Sequence, residues 1–202
     1  MIERQNVDGS EHPNFISAWT MPDATVCDNL ITFFEDNDGS QSPGIAGDGN
    51  VTDTIKKSMD MTIDPRDLED ERFAPVARYM EVLSACFKDY LMQWEFLKSI
   101  LPNAHVGSFN IQRYDEGGHY QGVHSERVSL DSIHRMLVWM TYLNHVDEGG
   151  ETEFPHYGLK VKPARGKTII WPAEWTHAHA GGLVTKGRKY IITGWMHFPD
   201  GG

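Results

Sequence analysis

The chain is short of cysteine, of positive charge and of uninterrupted apolar sequence, and each shortage closes off a class of proteins. Cys27 and Cys86 stand far apart and outside any C-x-x-C pattern, so neither a disulfide framework nor a zinc knuckle is expected, and a reduced, cytoplasmic setting fits. No stretch reaches the roughly 18 apolar residues of a membrane span. The polar, acidic start MIERQNVDGSEHPNF also lacks the apolar core of a signal peptide. A soluble protein without a membrane partner is expected. Eighteen Lys and Arg against 29 Asp and Glu leave a formal charge of −11, which opposes attraction to phosphate backbones, so nucleic acid is not expected as a partner. The shortage of positive charge is uneven. Between His156 and Tyr190, Lys160, Lys162, Arg165, Lys167, Lys186, Arg188 and Lys189 meet the single acid Glu174, which offers a place for something small and anionic.

What is present suffices for one core. A chain of 202 residues, 40% hydrophobic and 11% aromatic, predicts a single domain over 1–202. In MPDATVCDNLITFFED, Val26, Leu30, Phe33 and Phe34 recur at helical spacing behind Pro22 and Asp23. The following NDGSQSPGIAGDGN predicts a mobile loop over 37–50. From Arg72 to Ile100 apolar residues recur at steps of three and four, through Phe73, Val76, Tyr79, Leu83, Phe87, Leu91 and Trp94. This reads as one long helix, or two broken near the middle, stopped by Pro102. After position 104 the pattern changes to short β-type runs: VGSFNIQRY, RMLVWMTYL, LKVKP, KTIIWP and KYIITGWMHF. Helices followed by strands predict an α+β fold with an antiparallel sandwich or barrel, 1–103 forming mainly helical support and 104–198 the core that carries chemistry.

In GVHSERVSL, His124 and Glu126 lie two apart. On a strand that spacing puts both on one face, where an imidazole and a carboxylate make two-thirds of a facial triad for divalent iron. A third ligand has to come from elsewhere. WTHAHAGG supplies His177 and His179, again two apart, and periodicity alone does not choose between them. His119 and His156 fall in Gly- or Pro-rich turns and are assigned to the surface; Trp139, Trp171 and Trp175 are assigned to the core, and Gly149 and Gly150 to a tight turn. In GRKYIITGW, Lys189, Thr193 and Trp195 share a strand face. Lysine and threonine there are one charged and one neutral donor for a buried carboxylate, with Trp195 as a wall.

Four ordered segments, QRYDEGGHYQGVHSE, RMLVWMTYLNHVDEGGETEFP, LKVKPARGKTIIWP and HAGGLVTKGRKYIITGW, give the stretch from Asn110 to Phe198 a resemblance to 2-oxoglutarate- and Fe(II)-dependent oxygenases of the prolyl-4-hydroxylase-like type. The resemblance implies a double-stranded β-helix, a cupin-like jelly roll, with supporting N-terminal helices. It implies Fe(II) on His124, Glu126 and a distal histidine; His179 stands ten residues before Lys189 and His177 twelve, and the family's spacing of nine or ten selects His179. The co-substrate 2-oxoglutarate would chelate the iron and set its C5 carboxylate on Lys189, helped by Thr193 and the Tyr114 hydroxyl, with Trp195 walling the pocket. O2 is the implied oxidant and ascorbate an implied reductant. Glu126 departs from the aspartate most members carry, yet keeps the carboxylate. The implied reaction is hydroxylation of an unactivated C–H with release of succinate and CO2, on a prolyl or other side chain of a peptide or protein. A free amino acid or other small molecule is the alternative substrate. A non-catalytic or 2-oxoglutarate-independent jelly-roll metal protein is the alternative function, against which the Lys189 and Thr193 pair argues. Nothing in the sequence encodes an oligomeric state.

Overall fold

The structure is a computed structural model and describes residues 2–5, 13–45, 51–103 and 105–198. Two short strands, β1 (Glu3–Gln5) and β2 (Ser17–Thr20), precede helix α1 (Thr25–Asp36). The helix begins after Pro22 and not at it. The Asp23 carboxylate accepts from the Thr25 amide at 3.0 Å and from its hydroxyl at 2.6 Å, occupying a first-turn donor. Val26, Cys27, Leu30, Phe33 and Phe34 form its buried face.

Strands β3 (Ser42–Pro43), β4 (Lys56–Lys57) and β5 (Met59–Ile63) follow. The first hundred residues are mainly helical, as expected, but five strands of theirs also enter the sheets, each too short to show a period-2 signal in the sequence. Within the described part of the 37–50 loop, Asp38–Ser40 form a 3-10 turn and β3 pairs with β5. Positions 46–50 of that loop lie outside the described residues. Helix α2 (Ala74–Gln93) then runs further than a mid-point break would allow, and α3 (Leu97–Ile100) is a single turn. The break comes at Trp94, whose ring packs 4.7 Å from Phe15 and 6.3 Å from Tyr90 while its backbone leaves helical angles.

The remainder is β6 (His105–Val106), β7 (Phe109–Tyr114), β8 (His119–His124), β9 (Arg135–Tyr142), β10 (Glu148–Gly149), β11 (Thr152–Phe154), β12 (Leu159–Val161), β13 (Lys167–Pro172), β14 (His179–Gly181), β15 (Val184–Lys186) and β16 (Lys189–His197). The large sheet runs β1-β2-β13-β9-β16-β7-β5-β3, with β6 on β16; the smaller runs β12-β11-β14-β8-β4, and β10 pairs β15. This is the jelly roll expected. Its central strands are apolar on both faces because each face meets a different partner. From β9, Leu137 and Trp139 pack into the cluster under α1 and α2, whereas Val138, Met140 and Tyr142 pack with Phe154 and Val161 of the small sheet.

The turn between β10 and β11 depends on glycine. Gly149 and Gly150 have φ of +81° and +72°, a region where L side chains are strained. A Cβ on Gly149 would also lie 2.0 Å from the Leu183 carbonyl oxygen. Gly149→Ala is expected to cost about 2 kcal/mol or more, read as a lower midpoint in chemical denaturation. A midpoint equal to that of the unsubstituted protein would show that the turn relaxes freely.

Candidate active site

Strands β8 and β14 pair so that His179 lies opposite His124, which brings together imidazoles 55 positions apart in the chain. Their ring centroids are 4.5 Å apart. Glu126 lies just beyond the end of β8, where its amide donates to the Ala173 carbonyl at 3.2 Å and turns the chain out of the sheet. Its Oε1 then reaches His124 Nε2 at 3.5 Å and His179 Nε2 at 3.4 Å. His124, Glu126 and His179 offer ligand atoms within 4.8 Å of one another.

The hydrogen bonds decide which atoms are free for a metal. His124 Nδ1 donates to the Gly122 carbonyl at 2.7 Å and His179 Nδ1 to the His177 carbonyl at 3.0 Å. Each ring therefore carries its proton on Nδ1 and turns the Nε2 lone pair inward, as a metal-binding histidine must. Glu126 divides its two oxygens: Oε1 faces the imidazoles, while Oε2 accepts from the Trp195 indole at 2.9 Å and lies 3.5 Å from Arg135. Two neutral imidazole nitrogens and one carboxylate on one side of an accessible cavity fit Fe(II) in a facial arrangement. Around them, Tyr120 stacks on His124 at 3.9 Å, and Phe154 and Trp171 pack on His179.

Lys189 sits in the same cavity, of about 430 Å³. It is 3% exposed, and burial pulls its ammonium down to about 8 against the opposing charge of Glu151. Its Nζ donates to the Gly150 carbonyl at 3.2 Å and lies 4.3 Å from the centre of the Tyr114 ring. Two of its three N–H groups remain for a ligand. Tyr114 and Thr193 reach the cavity as expected, but their hydroxyls are engaged: Tyr114 donates to Gln112 Oε1 at 2.7 Å and Thr193 to the Trp139 carbonyl at 2.9 Å.

Several placements differ from the sequence reading. His177 does not share a strand face with His179, because it ends a 3-10 turn, Trp175–His177, and the strand starts only at His179. Its ring points away from the metal ligands, with Nε2 2.7 Å from the Asn14 carbonyl and 3.2 Å from the Tyr157 hydroxyl. His119 is buried on β8 and not in a surface turn, and Trp175 is 69% exposed and not core. The charges of the basic run after His156 are spread over separate partners. Lys160 pairs with Glu153, Arg165 with Asp28 and Arg188 with Asp115, and only Lys189 lines the cavity. Arg135 was missed: it stacks 3.7 Å from the centre of the Trp195 ring and donates to the Glu126 carbonyl. Its signal was an arginine opening an otherwise apolar strand.

A model of the 2OG-Fe(II) oxygenase superfamily matches residues 109–197, the span that holds all three metal-ligand candidates and Lys189. Over that span the chain is similar to this superfamily. Among curated relatives, probable prolyl 4-hydroxylase 9 of Arabidopsis thaliana is 31% identical over 128 residues, 50% of this chain and 44% of that protein. The chain thus spans less than half the length of that relative. Among solved structures, a Pseudomonas putida prolyl-4-hydroxylase superposes with a TM-score of 0.69 at 18% identity, over 93% of this chain and 94% of that one. A prolyl hydroxylase from Trichoplax adhaerens, solved with a hypoxia inducible factor peptide fragment, gives 0.71 at 17% identity, over 92% and 84%. These likenesses support the jelly-roll fold.

His179→Ala is expected to abolish stoichiometric Fe(II) binding, whereas His177→Ala keeps the metal and loses about 1–3 kcal/mol of stability through its unmet buried partners. Metal titration and thermal denaturation of both variants separate the roles; metal loss in His177→Ala alone would reverse them. Trp195→Phe leaves Glu126 Oε2 without its indole donor and is expected to weaken metal affinity about 10- to 100-fold.

Proposed function

We propose that the protein is a 2-oxoglutarate- and Fe(II)-dependent dioxygenase that hydroxylates an unactivated C–H bond, with a prolyl side chain of a peptide or protein as the substrate class. The observation that carries this reading is the coexistence, in one cavity, of a His-Glu-His face and a buried lysine with free donors at the opposite end. A metal protein that did not use 2-oxoglutarate would have no need of that lysine.

Bound to His124, Glu126 and His179, Fe(II) supplies the redox chemistry by which O2 and 2-oxoglutarate yield succinate, CO2 and a hydroxylated product. The chain's own residues do the rest. The Gly122 and His177 carbonyls fix the imidazole tautomers, and Trp195 and Arg135 hold Glu126 in one orientation. Lys189 pairs with the C5 carboxylate of 2-oxoglutarate, in a setting where burial strengthens the attraction. Tyr114 flanks that ammonium with its ring, and Thr193 supplies an oxygen and a methyl group to the wall. Phe154, Trp171 and Tyr120 exclude water from the ligand histidines. Residues 1–202 act in this reading as one domain. Two buried thiols, Cys27 and Cys86, left unlinked, support a reducing, cytoplasmic setting. Among the described residues no helix is long and apolar enough to cross a membrane.

Succinate formation from 2-oxoglutarate, scanned over proline-containing peptides and free amino acids, tests the reading. Activity is expected with Fe(II) and is expected to vanish with Zn(II), which cannot cycle between oxidation states; equal turnover with zinc would refute it. The Lys189 ammonium gives a pH signature. A lysine titrating near 8 in the free protein binds the dianion only when protonated, so 2-oxoglutarate affinity should be level below that pH. Above it the affinity should fall by about tenfold per pH unit. Lys189→Met is expected to weaken 2-oxoglutarate about 10- to 100-fold and to remove this pH dependence; calorimetric titration at several pH values reads both.

A further inference from the structure

The cavity wall holds a second pair of buried charges that neither the metal nor Lys189 accounts for. Lys56 and Asp60 are 4% and 8% exposed and lie 2.5 Å apart, Nζ to Oδ2. They come from different sheets: β4 sets Lys56 opposite Tyr120 of β8, and β5 sets Asp60 opposite Gln112 of β7. Asp60 Oδ2 also accepts from Gln112 Nε2 at 3.0 Å, and Oδ1 accepts from the Ser58 hydroxyl at 2.7 Å. Lys56 has one further bond, a long one of 3.5 Å to the Ile45 carbonyl. Both residues line the cavity.

Counting donors and lone pairs gives the chemistry of what could meet them. After these bonds Lys56 keeps one N–H of three, and Asp60 Oδ1 keeps one acceptor position. Gly44 packs directly against one side of the pair, where only a residue without a side chain fits. A Cβ there would come 2.1 Å from Ser58 Oγ, 2.9 Å from Lys56 Cε and 3.1 Å from Asp60 Oδ1. Burying two charges costs more desolvation than an apolar pair of the same size would, which makes a purely passive wall a poor reason for them.

We propose that Lys56 and Asp60 form a substrate subsite that grips one backbone amide of a peptide, Lys56 donating to its carbonyl and Asp60 accepting from its N–H. This rests on the hydroxylase reading above and narrows its substrate to polypeptide. An amide has one donor and one acceptor in fixed relation, which is what the pair has left to satisfy. A free amino acid presents an ammonium with three N–H groups and a carboxylate, and burial against a pair with one open position each leaves most of them unmet. The pair is neutral as a unit, so it reads main chain and leaves the neighbouring side chains free to vary.

The test uses the protein loaded with Fe(II) and 2-oxoglutarate under anaerobic conditions. Calorimetry measures binding of acetyl-Ala-Ala-Pro-Ala-Ala-amide, of analogues in which one amide N–H at a time is replaced by an ester oxygen, and of L-proline. One ester position is expected to weaken binding about tenfold, and Lys56→Met/Asp60→Asn is expected to bind that ester and the parent peptide equally. The inference is overturned if every ester binds like the parent, if the parent does not bind, if the double variant keeps the full ester penalty, or if L-proline binds more tightly than the peptide. An ion pair serving only as a clasp between sheets would lower thermal stability in the variant but would not tell amide from ester. The hydroxylase reading is judged separately by Fe(II)-dependent succinate formation in the unsubstituted protein.

Discussion

The alternation of β16 couples the core to the chemistry. Tyr190 and Ile192 point into the cluster beneath α1 and α2, while Lys189, Ile191, Thr193 and Trp195 turn toward the cavity and the small sheet. A register slip by one residue would drive Lys189 into the helix-facing core and carry Ile192 into the ligand site. The apolar packing that selects the fold therefore also selects the position of the buried ammonium. The same strand ends in the indole that holds Glu126, so one element orients both ends of the cavity.

The polar groups within are satisfied in a graded way. Ligand carboxylate and imidazoles are bonded on the sides away from the cavity and left open toward it. Glu126 gives one oxygen to Trp195 and turns the other toward the two Nε2 atoms, and each imidazole gives its Nδ1 proton to a main-chain carbonyl. Lys189 is held by a single carbonyl and keeps its remaining donors. Buried polar atoms with unmet capacity are costly, and here that capacity is concentrated where a metal and an anion would supply the missing partners.

The five-strand contribution of the first 63 residues changes how the chain divides. β2 and β5 sit within the large sheet beside β13 and β7, and β4 closes one edge of the small sheet. The early part of the chain is thus part of the cavity wall, through Ser42, Lys56, Asp60 and Thr62. Its helices cover the outer face of the large sheet, where Tyr79 bonds Thr141 and Trp19 bonds Asp89.

Sequence by itself determined the elements with strong periodicity and the ligand types. The apolar runs of β7, β9, β13 and β16 and the faces of α1 and α2 were legible because each segment is long enough to carry a period. His124, Glu126 and Lys189 were legible from residue type and spacing, and His179 was chosen by its spacing to Lys189 in the family the chain resembles. Tertiary structure alone decided what depended on short segments or on contacts distant in sequence. Strands of two to five residues left no alternation to read. His177 was separated from His179 by a 3-10 turn that periodicity assumed to be strand. Arg135 joined Glu126, and Gln112 joined Asp60, only once the strands paired, because a side chain's partner across a sheet is set by register and not by its neighbours in the chain.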